Sequence, residues 1–418
     1  MIAHKNSGNQ GANHWRQKAL FSSLLLMMVS VFISRAALSS STILFVVLAL
    51  VHKDFLSHTR RFFANVYWLF FSLLFFIPLI SGLWSSDIGK WSDVVRIKLP
   101  LLFLPLAFAG EWKLTSKQWW IICWGFLAMI FVGCVWGLID YSQHAVQIHE
   151  EYKRAKTIIT PLEDDHVRFS WLVSVAVILC LFLFHRSGHK SERSLSLIVA
   201  TFFVAYLHIL SARTGLFSLY LFLLLYAGWL LLQVKSRKWA LTILALVLAL
   251  PLLAYAVLPT FRTRLHYVLY DLSFAQKSEY LPGTSDGARV MSLKAGWQVL
   301  QQNPFGAGAG DIMHEADGWY AVNVPEVLAN DKFYPSSEWL MYGGFAGWIG
   351  IGLFSIVMLL PFFFKQKIQK IFWIGFHATA AFSFSFDMGL EVQYGVFLYA
   401  FICGWWWKMF KDEKLPAQ

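Results

Sequence analysis

The sequence predicts an all-α polytopic membrane protein with about twelve transmembrane helices. Of the 418 residues, 57% are hydrophobic and only 14% are charged, whereas soluble domains carry roughly 25% charged residues. Apolar segments recur along nearly the whole chain, which distinguishes it from a soluble domain with a single anchor. The four cysteines all fall inside apolar segments, and we interpret them as small core residues without a disulfide or metal role.

Each predicted span is an apolar segment bounded by polar or charged residues. The first segment follows a basic start and could mimic a signal peptide, but no convincing cleavage site follows it, so we expect a retained helix. Several segments are shorter than the roughly 20 residues that a perpendicular helix needs. The predicted spans are 19–34, 37–51, 66–84, 97–110, 118–140, 167–185, 195–211, 214–233, 239–258, 337–363, 371–386 and 391–408.

The charges of the loops predict the orientation of these spans. With the N-terminus inside, the inner segments, together with Lys408 at the inner end of the last span, carry 20 of the 35 Lys and Arg residues but only 5 of the 24 acidic residues. Basic residues accumulate in short cytoplasmic loops, and an even number of spans then places both termini in the cytoplasm. We attribute the net charge of +11 to this topology and to attraction to anionic membrane lipids, and we expect no nucleic-acid partner.

This topology divides a single integral-membrane domain into three parts. Spans one to nine occupy residues 1–258, a periplasmic loop occupies 259–336, and spans ten to twelve occupy 337–418. Long ordered loops in compact proteins are usually functional. We expect short helices within this loop, one of them the amphipathic segment MSLKAGWQVLQQ. A second predicted external segment covers residues 141–166.

A first candidate site residue lies in the segment SARTG, residues 211–215. Arg213 is the only charge between two long apolar segments. It is either an arginine that snorkels at the membrane interface or an anion ligand, since a guanidinium presents a planar fork of donors to phosphate oxygens. Ser211 belongs to the same candidate site, and Gly215 permits close approach of the backbone.

A second group lies in the large loop. Ser285 and Asp286 are suited to cap a helix, and Arg289 adds positive charge near a helix N-terminus, where anions bind favourably. A glycine-rich turn follows and is either a substrate contact or a simple loop. A dinucleotide site is not indicated, since the required strand and helix around the glycines are missing. The glycines of this turn are Gly306, Gly308 and Gly310.

A third group is EDDHVRFS, residues 163–170, at the outer mouth of the sixth predicted span. It places His166 and Arg168 near the same entrance, although two positions apart they point to different sides of a helix. Three acids followed by a histidine are either a solvated face or a divalent-cation site. Solvated acidic segments are the commoner case, so we assign no metal site.

A fourth group stands at the start of the tenth predicted span. Ser336 and Ser337 either cap the helix or belong to the site, and Glu338 suits the positive end of the helix dipole. In the last predicted outer turn, Asp387 and Glu391 are either loop charges or partners of the arginines. All four groups lie on one predicted face, which favours a shared site that opens outward.

These segments resemble, in order, the O-antigen ligase and polymerase family of bacterial cell-surface polysaccharide enzymes. SARTG resembles the family's Ser-x-Arg-x-Gly segment, and DGARVMSLKAGWQVLQQNPFGAGAG resembles its Arg-x-x-x-Trp helix and Pro-x-x-Gly-x-Gly turn, with the tryptophan displaced to Trp297. PSSEWLMYGGFAGWIG resembles the Pro-His-Asn-x-Tyr-Leu segment, with Gly347 and Gly350 as the later glycine pair. Ser336 then takes the family's His position and Ser337 its Asn position.

The resemblance, which extends over residues 160–360, implies a GT-C-like glycosyltransferase at the periplasmic face of the bacterial inner membrane. The donor is a glycan on undecaprenyl pyrophosphate. The acceptor is lipid A–core in a ligase, a second lipid-linked glycan in a polymerase, and a protein hydroxyl in related oligosaccharyltransferases. The resemblance implies no nucleotide sugar, metal or other cofactor. A polysaccharide-lipid transporter without catalysis and an inactive assembly scaffold are the alternatives, although no two-half repeat is visible.

The resemblance also assigns roles. The departing pyrophosphate gains charge, which fixed donors stabilise, and this role carries over to Arg213 and Arg289. The family's proposed general base is replaced by Ser336, so three interpretations stay open. Glu338 acts as the base, a histidine from elsewhere reaches the acceptor, or leaving-group stabilisation alone suffices. The candidate histidines are His166 and His314. The candidate catalytic residues are Arg213, Arg289, Glu338, Ser336 and His166, and the candidate substrate-binding residues are Arg168, Ser211, Gly306, Gly308, Gly310 and Ser337.

Overall fold

The computed structural model is all-helical, which confirms the all-α part of the predicted fold class. It describes residues 5–52, 54–153, 156–277, 285–363 and 370–412, and within these ranges it contains no strand. Helix accounts for 83% of the structure. The backbone hydrogen bonds of an α-helix are satisfied within the segment itself, which is what a chain in hydrocarbon requires.

The described residues form eighteen α-helices with five short 3₁₀ segments between them. The α-helices are α1 Lys5–Val31, α2 Arg35–Leu50, α3 Phe55–Ala64, α4 Val66–Phe71, α5 Leu73–Ile80, α6 Ile88–Lys98, α7 Pro100–Phe108, α8 Ser116–Tyr152, α9 His166–Arg186, α10 Lys190–Leu210, α11 Arg213–Leu231, α12 Arg237–Val257, α13 Pro259–Lys277, α14 Ser285–Gln302, α15 Ile312–Asn323, α16 Glu338–Leu359, α17 Lys370–Phe386 and α18 Gln393–Asp412. The 3₁₀ segments are Ser81–Leu83, Val234–Ser236, Ala329–Asp331, Leu360–Phe363 and Gly389–Glu391.

Seven helical segments of the described chain are long and apolar enough to cross a membrane. A bent pair, α2 with α3, raises that number to eight if it is counted as one span. The other predicted spans are helical too, but α7 has 9 residues and α17 has 17, short of a full crossing. The seven segments are Val66–Leu83, Ser116–Tyr152, His166–Arg186, Lys190–Leu210, Arg213–Leu231, Arg237–Val257 and Glu338–Phe363.

Helix α9 forms the centre of the bundle. Of the most apolar 18-residue stretch of α9, 78% is buried inside the protein, against 11% of the corresponding stretch of α12. Helices α10, α11 and α17 pack directly against α9. A helix that is apolar all round and buried belongs to a core, whereas the exposed leucines of α12 suit contact with lipid. The polar first turn of α9 is thus held at a central position.

The region predicted as a long loop with short helices contains three helices, and two of them are long. Helices α13, α14 and α15 have 19, 18 and 12 residues. The amphipathic segment expected at MSLKAGWQVLQQ lies within α14. Helix α14 packs against α13, α15 and α16, so this region is an integral part of the fold.

Helix α16 is broken in its middle, which the sequence did not predict for the tenth span. Ala346 and Gly347 have non-helical backbone angles, and Gly347 has φ +63°. The carbonyl of Gly344 instead accepts hydrogen bonds from the amides of Ala307 at 2.8 Å and Gly308 at 3.1 Å. The glycine-rich turn after α14 therefore supplies the donors that the broken helix lacks.

Candidate functional site

Two helices begin in the wall of one small cavity, α9 at His166 and α11 at Arg213, and α14 contributes Arg289 from its second turn. Helix N-termini carry partial positive charge and attract anions. The cavity has a volume of about 80 Å³, several times the roughly 10–15 Å³ needed to hold one water molecule. Its walls are His166, Val167, Ala212, Arg213, Thr214, Arg264 and Arg289.

The segment SARTG places Arg213 in this wall. Ser211 directly follows α10, in the left-handed region at φ +53°, and its hydroxyl donates to the carbonyl of His208 at 2.7 Å. The turn that results lets α11 begin at Arg213 only three residues after α10 ends. At Gly215, a Cβ atom would lie 2.6 Å from Ser170 Cβ and 2.7 Å from its carbonyl oxygen. Gly215 therefore permits α11 to approach α9, which brings Arg213 next to His166.

An unusual turn leads into α9. Leu162, Glu163 and Asp164 all have left-handed φ values, of +67°, +57° and +64°. Such angles cost a non-glycine residue roughly 1–2 kcal/mol each. The carboxylate of Asp164 accepts from the amide of Thr160 at 3.0 Å, and Glu163 pairs with Arg35 at 2.7 Å. These contacts hold the turn that positions the start of α9.

The three acids of the third sequence group all have partners within the protein, although Glu163 and Asp164 are exposed. Asp165 caps α9, since its carboxylate accepts from the amide of Arg168 at 3.1 Å. The guanidinium of Arg168 lies 3.5 Å from the same carboxylate and 2.8 Å from that of Asp387. Within the described residues, no group of three or more His, Cys, Asp or Glu side chains is placed to hold a metal ion.

Four arginines surround His166. Arg168, Arg213, Arg264 and Arg289 all lie close enough to act on it electrostatically. They come from α9, α11, α13 and α14, so the fold gathers positive charge that is scattered along the sequence. The structure thus brings together the predicted residues Arg168, Arg213, Arg289 and His166.

Arg264 was not among the candidates predicted from the sequence, although it lies in the wall of the same cavity. It is 5% exposed, and within the described protein its Nε and Nη1 atoms have no hydrogen-bond partner. Burial lowers the pKa of Arg264 below its usual value, and the nearby charge of Arg213 lowers it further. Burial likewise lowers the pKa of Arg289. An anion in the cavity would supply the missing acceptors and countercharge.

A sequence signal for Arg264 exists in α13. Thr260, Arg264 and Asp271 follow the spacing of one helix face, and all three side chains are buried. Asp271 in turn accepts from the amides of Asp286 at 2.7 Å and Gly287 at 3.0 Å, so it caps α14. The pattern that marks Arg264 is a row of polar residues along one face of α13. This face is buried, although most of the helix is exposed.

Asp286 links two of the helix starts. Its carboxylate forms an ion pair with the guanidinium of Arg213, which joins the first turn of α14 to the first turn of α11. The second carboxylate oxygen of Asp286 is buried without a partner in the described protein. Asp286 therefore forms an ion pair that orients Arg213, while the capping role that we predicted at the start of α14 belongs to Asp271.

Glu338 lies outside the cavity wall and serves a different contact. It is fully buried, and its carboxylate accepts from the amide of Leu390. Lys98 donates to the carbonyl of the same Leu390 at 2.8 Å and to Glu391 at 2.5 Å. Arg168 donates to the carbonyl of Met388 at 3.2 Å. Three charged side chains from α16, α6 and α9 thus hold the turn between α17 and α18.

The serines at the start of α16 contact α14. The hydroxyl of Ser292 lies 2.8 Å from that of Ser336 and accepts from the amide of Ser336 at 3.2 Å. Ser292 also donates to the carbonyl of Arg289 at 2.8 Å. Ser337 occupies the N-cap position of α16 without a side-chain hydrogen bond. Ser336 is therefore linked through one side chain to the helix that carries Arg289.

The structure does not bring the glycine-rich turn into the arginine cavity. The amide of Gly306 donates to the carbonyl of Asn303 at 2.9 Å, and that of Gly310 donates to the hydroxyl of Ser85 at 3.1 Å. With Gly308 bound to α16, the amides of all three glycines are engaged. Gly306 and His314 instead line a separate cleft of about 910 Å³.

Comparison with known proteins adds no family assignment to this geometry. No protein-family model matches the chain, and no curated protein sequence matches it.

Proposed function

We propose that this protein is a membrane glycosyltransferase that moves a glycan from undecaprenyl pyrophosphate to an acceptor hydroxyl. The observation that carries the proposal is the cavity at the starts of α9 and α11, with Arg213, Arg264 and Arg289 in its wall. A pyrophosphate group bears several negative charges and accepts hydrogen bonds from all sides. Guanidinium groups and helix N-termini are the protein features that bind such a group best.

The chemistry fits a leaving group of this kind. In the transfer, the bond between the sugar carbon and the phosphate oxygen breaks, and its electron pair stays with the pyrophosphate. The acceptor oxygen forms a new bond to the same carbon and loses its proton. Donors held in place before the reaction stabilise the charge that develops on the leaving group. Arg213, Arg264 and Arg289 take this role in the proposal.

His166 is the proton acceptor in this proposal. Among the described residues it is the histidine that lines the arginine cavity, and an unprotonated imidazole nitrogen can accept the proton of a hydroxyl. Glu338 is engaged with Leu390, and Ser336 is engaged with Ser292. We therefore assign Glu338 to the support of the α17–α18 turn and Ser336 to the contact with α14.

The membrane arrangement that accompanies the proposal has twelve spans and a GT-C-like fold. The shorter helices α7 and α17 join the seven long segments in the bilayer, with α1, α2 and α18. Both termini lie in the cytoplasm of a bacterium and the arginine cavity faces the periplasm, as the loop charges predict. The acceptor is lipid A–core or a second lipid-linked glycan, with a protein hydroxyl as the alternative.

Reconstitution in liposomes tests the proposal. The purified protein receives a radiolabelled glycan on undecaprenyl pyrophosphate together with an acceptor lipid. We expect transferred glycan and free undecaprenyl pyrophosphate, and we expect Arg213→Ala and Arg289→Ala each to reduce the rate at least about 100-fold. Arg262→Ala is the matched control, because Arg262 is exposed and donates to a backbone carbonyl seven residues earlier in the chain.

Two results would overturn the proposal. Movement of the labelled lipid across the bilayer without any transferred glycan would identify a transporter. Unchanged transfer in both arginine variants would show that the cavity does not serve the reaction.

A further inference from the structure

A large cleft lies beside the break in α16. It has a volume of about 910 Å³, within the roughly 300–1,000 Å³ that is typical of ligand sites. Ala346, whose backbone angles are non-helical, forms part of its wall. Non-helical backbone in a membrane-spanning segment is tolerated where it is buried or lines a cavity, and broken membrane helices often build ligand sites. The break in α16 thus marks this cleft as a candidate ligand site.

Two candidate membrane-spanning segments form the apolar part of the cleft. Ile80 lies near the end of Val66–Leu83, and Ile349 lies within Glu338–Phe363. These two side chains are 51% and 61% exposed, and Phe305, from the turn after α14, is 78% exposed. Exposed apolar side chains that share a groove are typical of a binding surface. Because the two segments lie in the bilayer, this part of the cleft suits an aliphatic chain.

Another part of the cleft wall is polar. Asn303 follows α14, and His314 and Glu315 lie in the first turn of α15. Asn303 donates through its side-chain nitrogen to the carbonyl of Val299 at 3.2 Å, which leaves its side-chain oxygen free. Within the described chain, the side chains of His314 and Glu315 have no hydrogen-bond or ion-pair partner. These three side chains can therefore bind the polar part of a ligand.

The charges of the wall favour a head group without negative charge. The described residues that line the cleft include Asp311 and Glu315 but no lysine or arginine, so a phosphate group would meet carboxylates without a cation. An ammonium group could pair with Glu315, but it only donates hydrogen bonds, whereas an imidazole both donates and accepts. Hydroxyl groups also do both, so they match the oxygen of Asn303, the ring of His314 and the carboxylate of Glu315 together.

Trp84 adds a flat apolar surface to the cleft. It is 42% exposed, and its indole nitrogen donates to the carbonyl of Phe345 at 3.2 Å, which fixes the ring. The C–H face of a sugar ring is apolar and packs against the electron-rich face of an aromatic ring. A sugar, with one apolar face and hydroxyls around its edge, can use both Trp84 and the polar side chains.

We propose that this cleft binds a glycolipid, with a sugar ring against Trp84 and the aliphatic chain along Ile80 and Ile349. The sugar hydroxyls pair with the polar side chains at the end of α14 and the start of α15. Helix α14 has 18 residues, a length of about 27 Å, and Arg289 lies near its other end. The cleft is therefore separate from the arginine cavity, and the inference holds whether or not that cavity transfers a glycan.

Binding of dodecyl maltoside to the purified full chain tests the proposal. The protein is kept in a polyoxyethylene detergent, which contains no sugar, and bound maltoside is counted by native mass spectrometry. Dodecylphosphocholine and dodecyltrimethylammonium carry the same chain on other head groups. We expect the maltoside to bind at least about tenfold more tightly than either, because its hydroxyls pair with the polar wall. Maltose, which lacks the chain, should bind at least about 100-fold more weakly than the maltoside.

The variant H314A/E315A removes two hydrogen-bonding side chains from the cleft. Neither side chain is buried and alanine favours a helix, so the fold should be kept. We expect the affinity for dodecyl maltoside to fall about tenfold. The matched control is H189A/E326A, whose side chains are exposed and lie outside the cleft wall. Its affinity should stay within about twofold of the unaltered chain.

Several results would overturn the proposal. Equal binding of the three dodecyl compounds would show an apolar surface without selectivity, and tighter binding of the trimethylammonium compound would show a cationic ligand. An unchanged affinity in H314A/E315A, or an equal loss in H189A/E326A, would show that the sugar does not bind at α15. Maltose that competes at the same concentration as the maltoside would show a soluble sugar as the ligand.

Discussion

The ammonium of Lys98 lies 2.5 Å from the carboxylate of Glu391, and the two side chains are only 0% and 9% exposed. The same ammonium donates to the carbonyl of Leu390, whose amide donates to Glu338. One lysine therefore sits between two buried carboxyl groups and also fixes the backbone between them. This arrangement joins α6, α16 and the turn before α18.

We predict that Lys98→Met is strongly destabilising. It leaves Glu391 and Glu338 buried without their cation, and breaking a buried pair in this way typically costs 3–5 kcal/mol. The double variant K98M/E391L removes the stranded carboxylate as well and should recover part of that loss. Thermal unfolding in detergent measures both. A single variant as stable as the unaltered chain would contradict the role given to Lys98.

We predict a pH dependence that belongs to Glu391. Burial raises the pKa of Glu391 above 4.5, although Lys98 opposes this. A raised folded-state pKa means that the contribution of this group to stability is complete below about pH 4.5 and is lost as the pH rises through the raised value, at about 1.4 kcal/mol per unit. Gln cannot titrate, so Glu391→Gln should show a flatter dependence of the melting temperature on pH. Parallel curves for both proteins would refute this assignment.

We predict opposite effects of Arg264→Met on stability and on activity. Two nitrogens of Arg264 are buried without partners, and replacing such a charge with an apolar side chain of similar length removes a desolvation cost, so stability should rise by about 1 kcal/mol. Transfer of glycan should fall by roughly 100-fold, since a donor to the leaving group is lost.

Arg262→Met serves as the control for this change, because Arg262 is exposed and lies on the same helix. Its transfer rate should stay near that of the unaltered chain. If Arg264→Met lost stability together with activity, the side chain would be structural and the proposed role would fail.

We predict that Glu338 acts through the turn that it holds and not as a base. In Glu338→Gln the amide oxygen can still accept from Leu390, so transfer should stay within about tenfold of the original rate. Glu338→Leu removes the acceptor and leaves a buried amide unpaired, which costs about 1–3 kcal/mol and should reduce transfer further. A loss of 10²–10⁴-fold in Glu338→Gln would instead indicate general-base catalysis.

We predict that Gly347→Ala is poorly tolerated while Gly352→Ala on the same helix is not. Gly347 has φ +63°, and a Cβ atom there would overlap the carbonyl of Pro304. A Cβ atom at Gly352 would meet open space, so alanine there should stabilise the folded protein by about 0.5–1 kcal/mol. Melting temperatures of the two variants make the comparison. Equal effects would argue against the break in α16.

The parts of the fold that the sequence predicts are those that depend on local apolar pattern. Each predicted span contains a helix, and Arg213 and His166 stand at helix starts because the apolar segments begin there. The contacts that build the site join distant positions: Arg213 meets Asp286 across 73 residues, and Lys98 meets Glu391 across 293. No periodicity encodes such pairs. Arg264 was not predicted because its one local signal, the shared helix face of Thr260, Arg264 and Asp271, lies in a segment that we predicted as a loop.

The break in α16 has a consequence for how the chain is made in a cell. The carbonyl of Gly344 obtains its donors from Ala307 and Gly308, which lie on a segment synthesised before α16. A bilayer offers no water to take their place. The segment that carries α14 must therefore already be folded and on its final side of the membrane when α16 leaves the insertion machinery. Membrane insertion of α16 thus depends on earlier folding of the preceding region, and a cell that stalls that folding would also stall the insertion.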